Sequence, residues 1–234
     1  MRDGQSKTLL VLRATGRAPS LSLEQDVSAR LHEALARTEG LEDVVLHTTH
    51  VLPPRLSLVP FRRDALAFVG VRGASAAIDA LREALSPLGE VQSHLVEQSS
   101  PRARPRTWTL GELTPGVSLI TRFRKKRGLD HGAFLREWHE HHTPLALATH
   151  PLVGYVRNVV LQTSPAEAPA WDGVVVESFA ASEDVLSPLR FFGGARRALP
   201  GMWRVASHVP RFLELHTLEN HLVCERILRE SGRA

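Results

Sequence analysis

The stretch REWHEHHTPLALATHPLVGYVRN, residues 136–158, brings His139, His141, His142 and His150 close to Tyr155, the only tyrosine in the chain. Such a cluster could ligate a metal, move protons, or line the polar side of a helix. Spacing argues against a metal. His-Glu-His-His-Thr is not H-E-x-x-H, because Thr143 stands where the second ligand would fall. His139 and His142 lie one turn apart, but no third ligand is supplied at a fixed spacing. Proton transfer fits His142 better. Phe134, Trp138 and His142 recur at i, i+4 and i+8, so the imidazole continues an apolar stripe. Asp130 is the expected N-cap, and Pro144 predicts a helix end near His142, with Thr143 capping the next helix. There the negative end of the helix dipole would favour the imidazolium and keep its titration near neutral pH. His131, His139 and His141 are read as solvated helix-surface residues and His150 as a loop residue before Pro151.

Other residues could work beside it. Glu177 interrupts the apolar run GVVVESF and shares a strand face with Val175 and Phe179. A carboxylate in such surroundings is either paired or raised in pKa, and otherwise it faces solvent at a strand edge. Tyr155 and Asn158 are three positions apart, so a regular strand turns them to opposite faces. Asn158 is the preferred orienter of a carbonyl or hydroxyl. Arg122 could hold a carboxylate or enolate, and Trp138 joins Tyr155 in the expected substrate-binding set. Phe191 to Gly194 reads as an apolar flap or as helix-end packing, and residues 195–215 are a candidate lid.

The elements that must position these residues repeat. KTLLVLRAT is a strand-length apolar run, and Leu23, Val27, Leu31 and Leu35 then form one i,i+4 ridge. DVVLHTTHVL and DALAFVGVRG read as strands, SAAIDALREALSPLG as a helix and EVQSHLVEQ as a last strand. After SSPRARPRTW and the turn TPG the order recurs in VSLITRFRKK, GAFLREWHEHH, YVRNVVLQ, DGVVVESFAA and SEDVLSPLRFF. DALAFVGVRGASAAI aligns with DGVVVESFAASEDVL, and Leu35 falls opposite His142. The expected architecture is α+β, with two ferredoxin-like βαββαβ repeats forming a pseudo-dimeric α/β barrel, helices outside and a pocket between the sheets. The division is 1–112, a degenerate repeat without a counterpart of the His-x-Pro run His142-Thr143-Pro144, and 113–234, which carries the site.

Composition sets the remaining limits. The chain has 234 residues, 43% of them hydrophobic, and a formal charge of +4. Its one cysteine, Cys224, precludes an intrachain disulfide. Leu9 to Leu12 is too short for a signal segment or a membrane span. A soluble cytoplasmic protein is therefore expected. The one dense basic run, Arg122 to Arg127, lacks an aromatic platform, so nucleic acid is not an expected partner.

The run RGLDHGAFLREWHEHHTPLALATHPLVGYVRN resembles the EthD family over about residues 117–180, through His142, Pro144, Leu145, Tyr155 and Asn158. That resemblance implies a dimeric α/β barrel. It also implies relatives acting on small, often aromatic or polyketide-like molecules as cofactor-free oxygenases, cyclases, and decarboxylases or dehydratases. The leading expectation is cyclisation, dehydration or decarboxylation without a bound cofactor or metal, with His142 moving a proton and Glu177 assisting. A cofactor-free monooxygenase in the same pocket is the alternative, and a non-catalytic binder of a small ligand is the third. The expected partner is a small-molecule substrate, with no membrane, and the fold leaves room for a homodimer of such chains.

Overall fold

The structure, a computed structural model, describes residues 5–49, 53–55, 57 and 59–231. The last three residues of the expected strand DVVLHTTHVL, positions 50–52, lie outside them. The elements in chain order are β1 (Gln5–Ala14), α1 (Leu21–Arg37), β2 (Leu41–Thr48), β3 (Leu66–Gly73), α2 (Ser75–Leu85), β4 (Gly89–Arg102), β5 (Val117–Phe123), α3 (His131–Arg136), a π-helical segment (Glu137–His142), α4 (Thr143–Thr149), β6 (Leu152–Ser164), β7 (Gly173–Phe179), α5 (Glu183–Leu186), α6 (Pro188–Phe191), α7 (Ala195–His208) and β8 (Glu219–Arg229). No described helix is long and apolar enough to cross a membrane.

The expectation of two ferredoxin-like repeats in a pseudo-dimeric α/β barrel is corrected by the sheet. The strands form one closed antiparallel barrel of eight, in the order β1-β3-β2-β8-β5-β7-β6-β4, with few helices. Two separate sheets facing each other would each leave two edges of unpaired backbone groups. Here the edges find each other instead. β4, 14 residues long, pairs with the 13-residue β6 from Ser93↔Ser164 to Arg102↔Tyr155, and β2 pairs with β8 from Val44↔Arg229 to Thr48↔Cys224. Sequence periodicity marks the strands but carries no signal for these long-range closures.

Strand alternation then separates two environments. Leu9, Val11, Phe68, Val96, Ile120, Val174, Val176 and Val223 cluster with one another inside the barrel. Their neighbours along the strands, Leu10, Leu12, Val69 and Val71, pack on the α1 ridge Leu23, Val27, Leu31 and Leu35. Ser20 caps α1 by accepting from the Leu23 amide. In the second half, Leu119, Phe123, Tyr155, Val175 and Phe179 pack on Phe134 and Trp138 of the helical layer.

That helical layer differs from expectation. Asp130 does cap α3, its carboxylate accepting from the Ala133 amide at 2.7 Å. The helix does not end near His142, however. Its turns widen over Glu137–His142, where the Thr143 amide reaches the Trp138 carbonyl five residues back, and the path runs on into α4. Pro144 lacks an amide and would press on the carbonyl four residues before it. The widened turn relieves both problems without stopping the helix. SEDVLSPLRFF makes two single turns, α5 and α6, and most of the candidate lid is the helix α7. Phe191 and Phe192 are buried as helix-end packing.

Gly173, at the start of β7, shows how tightly the layer sits. A Cβ there would lie 2.5 Å from the Phe123 ring and 2.8 Å from Trp138. Gly173→Ala is expected to cost about 1–3 kcal/mol by overpacking. Thermal melts should show this as a lowered Tm, and an unchanged Tm would contradict the close fit of β7 to Trp138.

Candidate functional site

The outer face of β5, β7 and β6 places Leu119, Glu177 and Tyr155 side by side in register. Glu177 is 8% exposed. Among the described residues its carboxylate has no hydrogen bond or ion pair, and burial pushes its pKa up to about 7. Tyr155 is buried, and its phenol is pushed above its ordinary range, first by burial and then by the neighbouring Glu177. It stays protonated at neutral pH, with Thr143 and Trp138 beside it opposing part of that rise. Two residues on along β6, Arg157 ties the sheet to the helix above. Its Nη1 donates to Thr143 Oγ1 at 3.1 Å and its Nε to Ser99 Oγ at 3.1 Å. Thr143 Oγ1 in turn donates to the Trp138 carbonyl at 2.9 Å.

His150 ends α4 and is buried, not a loop residue in solvent. Its Nδ1 lies 2.8 Å from the Phe191 carbonyl, which can only accept, so Nδ1 carries the proton and Nε2 keeps its lone pair. The ring lies tilted against Phe191 with centroids 4.1 Å apart, and burial holds its pKa down to about 4. Arg157 was not among the expected site residues, and His150 was read only as a loop residue. For Arg157 the signal was present, since it shares the Tyr155 face at two-residue spacing; for His150 only the tertiary contact with Phe191 reveals it.

His142 sits elsewhere. Its ring stacks on His208 of α7 at 5.4 Å and meets Phe212 at 5.1 Å. No described hydrogen bond or ring contact joins it to Glu177 or Tyr155. Lying mid-helix, it gains nothing from a helix end. Burial first, then His208 and His150, push its pKa down to about 3, so the expected titration near neutral pH is corrected: the imidazole is neutral. His139 departs from expectation too, being half-buried with its Nε2 unpartnered, while His131 and His141 are exposed.

Arg122 and Asn158 lie on the opposite side of the sheet. Arg122 is 2% exposed, its Nη2 2.5 Å from Glu219, and Asn158 Nδ2 donates to the Val174 carbonyl at 3.1 Å. Tyr155 and Asn158 therefore face opposite ways, as their spacing requires. The expected site residues divide into an outer set, Glu177, Tyr155 and Trp138, an inner pair, Arg122 and Asn158, and His142 at the contact with α7. No group of three or more His, Cys, Asp or Glu side chains among the described residues is placed to hold a metal ion.

The outer set can do acid–base chemistry. A carboxylate titrating near 7 both takes and returns protons at neutral pH, and a phenol that stays protonated can donate to an oxyanion. Tyr155→Phe would keep the ring and remove only that donor.

Residues 126–188 match the family model of the EthD domain. No curated protein matches the chain in sequence. Among solved structures, the fold is similar to that of an anthrone oxidase-like protein, 9% identical with a TM-score of 0.57, over 100% of this chain and 97% of that one. A candidate monooxygenase from Fusobacterium nucleatum subsp. nucleatum is 7% identical with a TM-score of 0.53, over 100% and 97% of the two chains. Another from Lactobacillus acidophilus is 8% identical with a TM-score of 0.50, over 97% and 98%. At these identities the likeness is one of fold.

Proposed function

From the EthD domain at residues 126–188, we propose that the chain is an enzyme acting without a bound cofactor on a small enolisable aromatic or polyketide-like compound, with Glu177 as the proton-transfer group. The observation that carries this reading is the unpartnered Glu177 carboxyl, raised to about 7 and in register with Tyr155. In the proposed step the carboxylate removes a proton from carbon next to a substrate carbonyl, and the electron pair moves onto the carbonyl oxygen. Tyr155 donates a hydrogen bond to that oxygen, and Arg157 and Thr143 hold the helix over it. Glu177 then returns the proton to the new alkoxide in cyclisation, or to the departing hydroxyl, which leaves as water, in dehydration; in decarboxylation the enolate forms as CO2 leaves, and protonated Glu177 supplies the proton to carbon. His142 is a secondary proton-transfer candidate as a neutral imidazole. Arg122 and Asn158, across the sheet, are outside this site.

A second reading is favoured by the fold shared with an anthrone oxidase-like protein and two candidate monooxygenases. The same carbanion would react with oxygen instead of being reprotonated. An NMR assay of deuterium exchange at the acidic carbon of phenolic ketones in D2O tests the shared first step, and an oxygen electrode separates the two outcomes. Binding without exchange would leave only the ligand-carrier reading.

Two variants rank the residues. Tyr155→Phe is expected to slow exchange by about 10²–10³-fold, the cost of one oxyanion donor. His142→Leu, measured in the same assay, should lose at least an order of magnitude less activity than Glu177→Gln. Equal losses would return His142 to the centre of the mechanism.

A further inference from the structure

Inside the barrel lie polar groups that the outer face does not use. His94 on β4 and His221 on β8 are both 0% exposed. His94 Nδ1 meets Thr163 Oγ1 at 3.0 Å, but its Nε2 has no hydrogen-bond partner. Neither His221 nitrogen has one, and the nearer approach, Nε2 to Glu219, is 3.7 Å. Arg122 Nε is likewise unpartnered. Arg122 and His221 flank one ring, at 5.5 Å and 5.4 Å from the Phe68 centroid. Buried polar atoms without partners are costly, so native proteins supply them with water or a ligand.

Charged groups continue from these residues towards solvent. Glu219 takes Arg122 at 2.5 Å and Arg62 at 3.4 Å, while Asp64 takes Arg13 at 3.1 Å and Arg62 at 3.7 Å. Arg13 and Arg62 are about half exposed, so the buried member of this group is Arg122, held by Glu219. An eight-stranded barrel is just wide enough to be filled by side chains or to hold one small ligand.

We propose that the barrel interior binds one small oxyanion, a carboxylate of formate size, through Arg122 Nε–H and the ring N–H groups of His94 and His221. This site lies across the sheet from Glu177 and does not depend on the outer-face reading. Burial first, and then the Arg122 charge, lower the pKa of both rings, that of His94 to about 4, so both are neutral at pH 7. Of the other groups facing them, Glu219 on β8 opposes this shift for His221, and Thr163 on β6 is uncharged. Farther along the barrel, Lys7 is influenced by Asp43, Glu225 and Arg72. An anion beside the rings favours the imidazolium, so binding should bring a proton with it. Affinity should then rise as pH falls, by at most about tenfold per unit for one proton taken up.

The test titrates the full chain with sodium formate at pH 6, 7 and 8 while following the histidine ring ¹⁵N resonances, with formamide as the neutral control. The expected result is saturable movement of the His94 and His221 signals, tighter at pH 6 than at pH 8, with no response to formamide. His94→Gln and His221→Gln should each weaken formate binding by about tenfold or more. If either variant fails to fold, the wild-type titration with its control decides alone. Unmoved resonances, equal binding of formamide, or affinity independent of pH would each overturn the proposal. The nitrogens would then be satisfied by ordered water.

Discussion

Glu177→Gln is expected to slow proton abstraction by about 10²–10⁴-fold and, in the same protein, to raise stability at pH 8. The first effect follows from removing a group on the outer face whose pKa, about 7, suits proton transfer in both directions at neutral pH. The second follows from linkage. A carboxyl whose pKa is raised on folding stabilises the protein fully below its unfolded pKa, and that contribution is lost as pH rises through the folded value. For Glu177 the window runs from 4.5 to about 7. Glutamine keeps the shape without the charge. The stability gained over wild type should therefore grow from about 1 kcal/mol at pH 5.5 to about 3 kcal/mol at pH 8. Urea unfolding at the two pH values measures it. A variant that loses activity while losing stability equally at both would mark Glu177 as a packing residue. Gain of stability with loss of activity is the pattern of a functional group held in an unfavourable place.

The largest effect on the fold should come from acid. His94 and His150 are buried and have pKa values lowered to about 4 by burial. For a base lowered on folding the sign reverses. Stability is complete above the unfolded value of 6.5 and is lost as pH falls toward 4. At pH 5 each of these two groups removes about 2 kcal/mol. His139 and His142 are lowered in the same direction, to about 4 and about 3, and add to the loss. The total rivals the whole stability of an ordinary domain, and Glu177, whose protonation helps the fold at low pH, offsets only part of it. Circular dichroism should show cooperative unfolding between pH 6 and 4. A cooperative fold surviving at pH 4 would mean that these rings charge in place, next to water or counter-ions.

The strand faces of the candidate residues were legible in the sequence because strand parity is a local property. The two-residue alternation already put Glu177 with Val175 and Phe179 and turned Tyr155 away from Asn158, and both arrangements hold in the barrel. The α1 ridge and the Asp130 cap were equally local. What was not legible depends on contacts distant in the chain. Closure of the barrel rests on β4 meeting β6 and β2 meeting β8, and the hydrophobic pattern is the same whether those edges join or stay apart. Pro144 reads as a helix end because its usual consequence is a lost hydrogen bond, whereas a wider turn, with Thr143 bonded to the Trp138 carbonyl, absorbs it. That difference moved His142 from a helix end to the middle of a helix against His208 and Phe212. For Arg122, read as a holder of a substrate carboxylate or enolate, nothing near it in sequence announces Glu219, nearly a hundred positions later.

The central claim is that a carboxyl on the outer face is tuned to exchange protons at neutral pH, and the most direct test needs no substrate. The side-chain carboxyl ¹³C resonance of Glu177, assigned by comparison with Glu177→Gln, can be followed from pH 5.5 to 8.5 in the intact protein. The account predicts a midpoint near 7, set by burial. A resonance already fully ionised at pH 5.5, with the ordinary carboxylate midpoint below it, would contradict the account and remove Glu177 from the proton-transfer role.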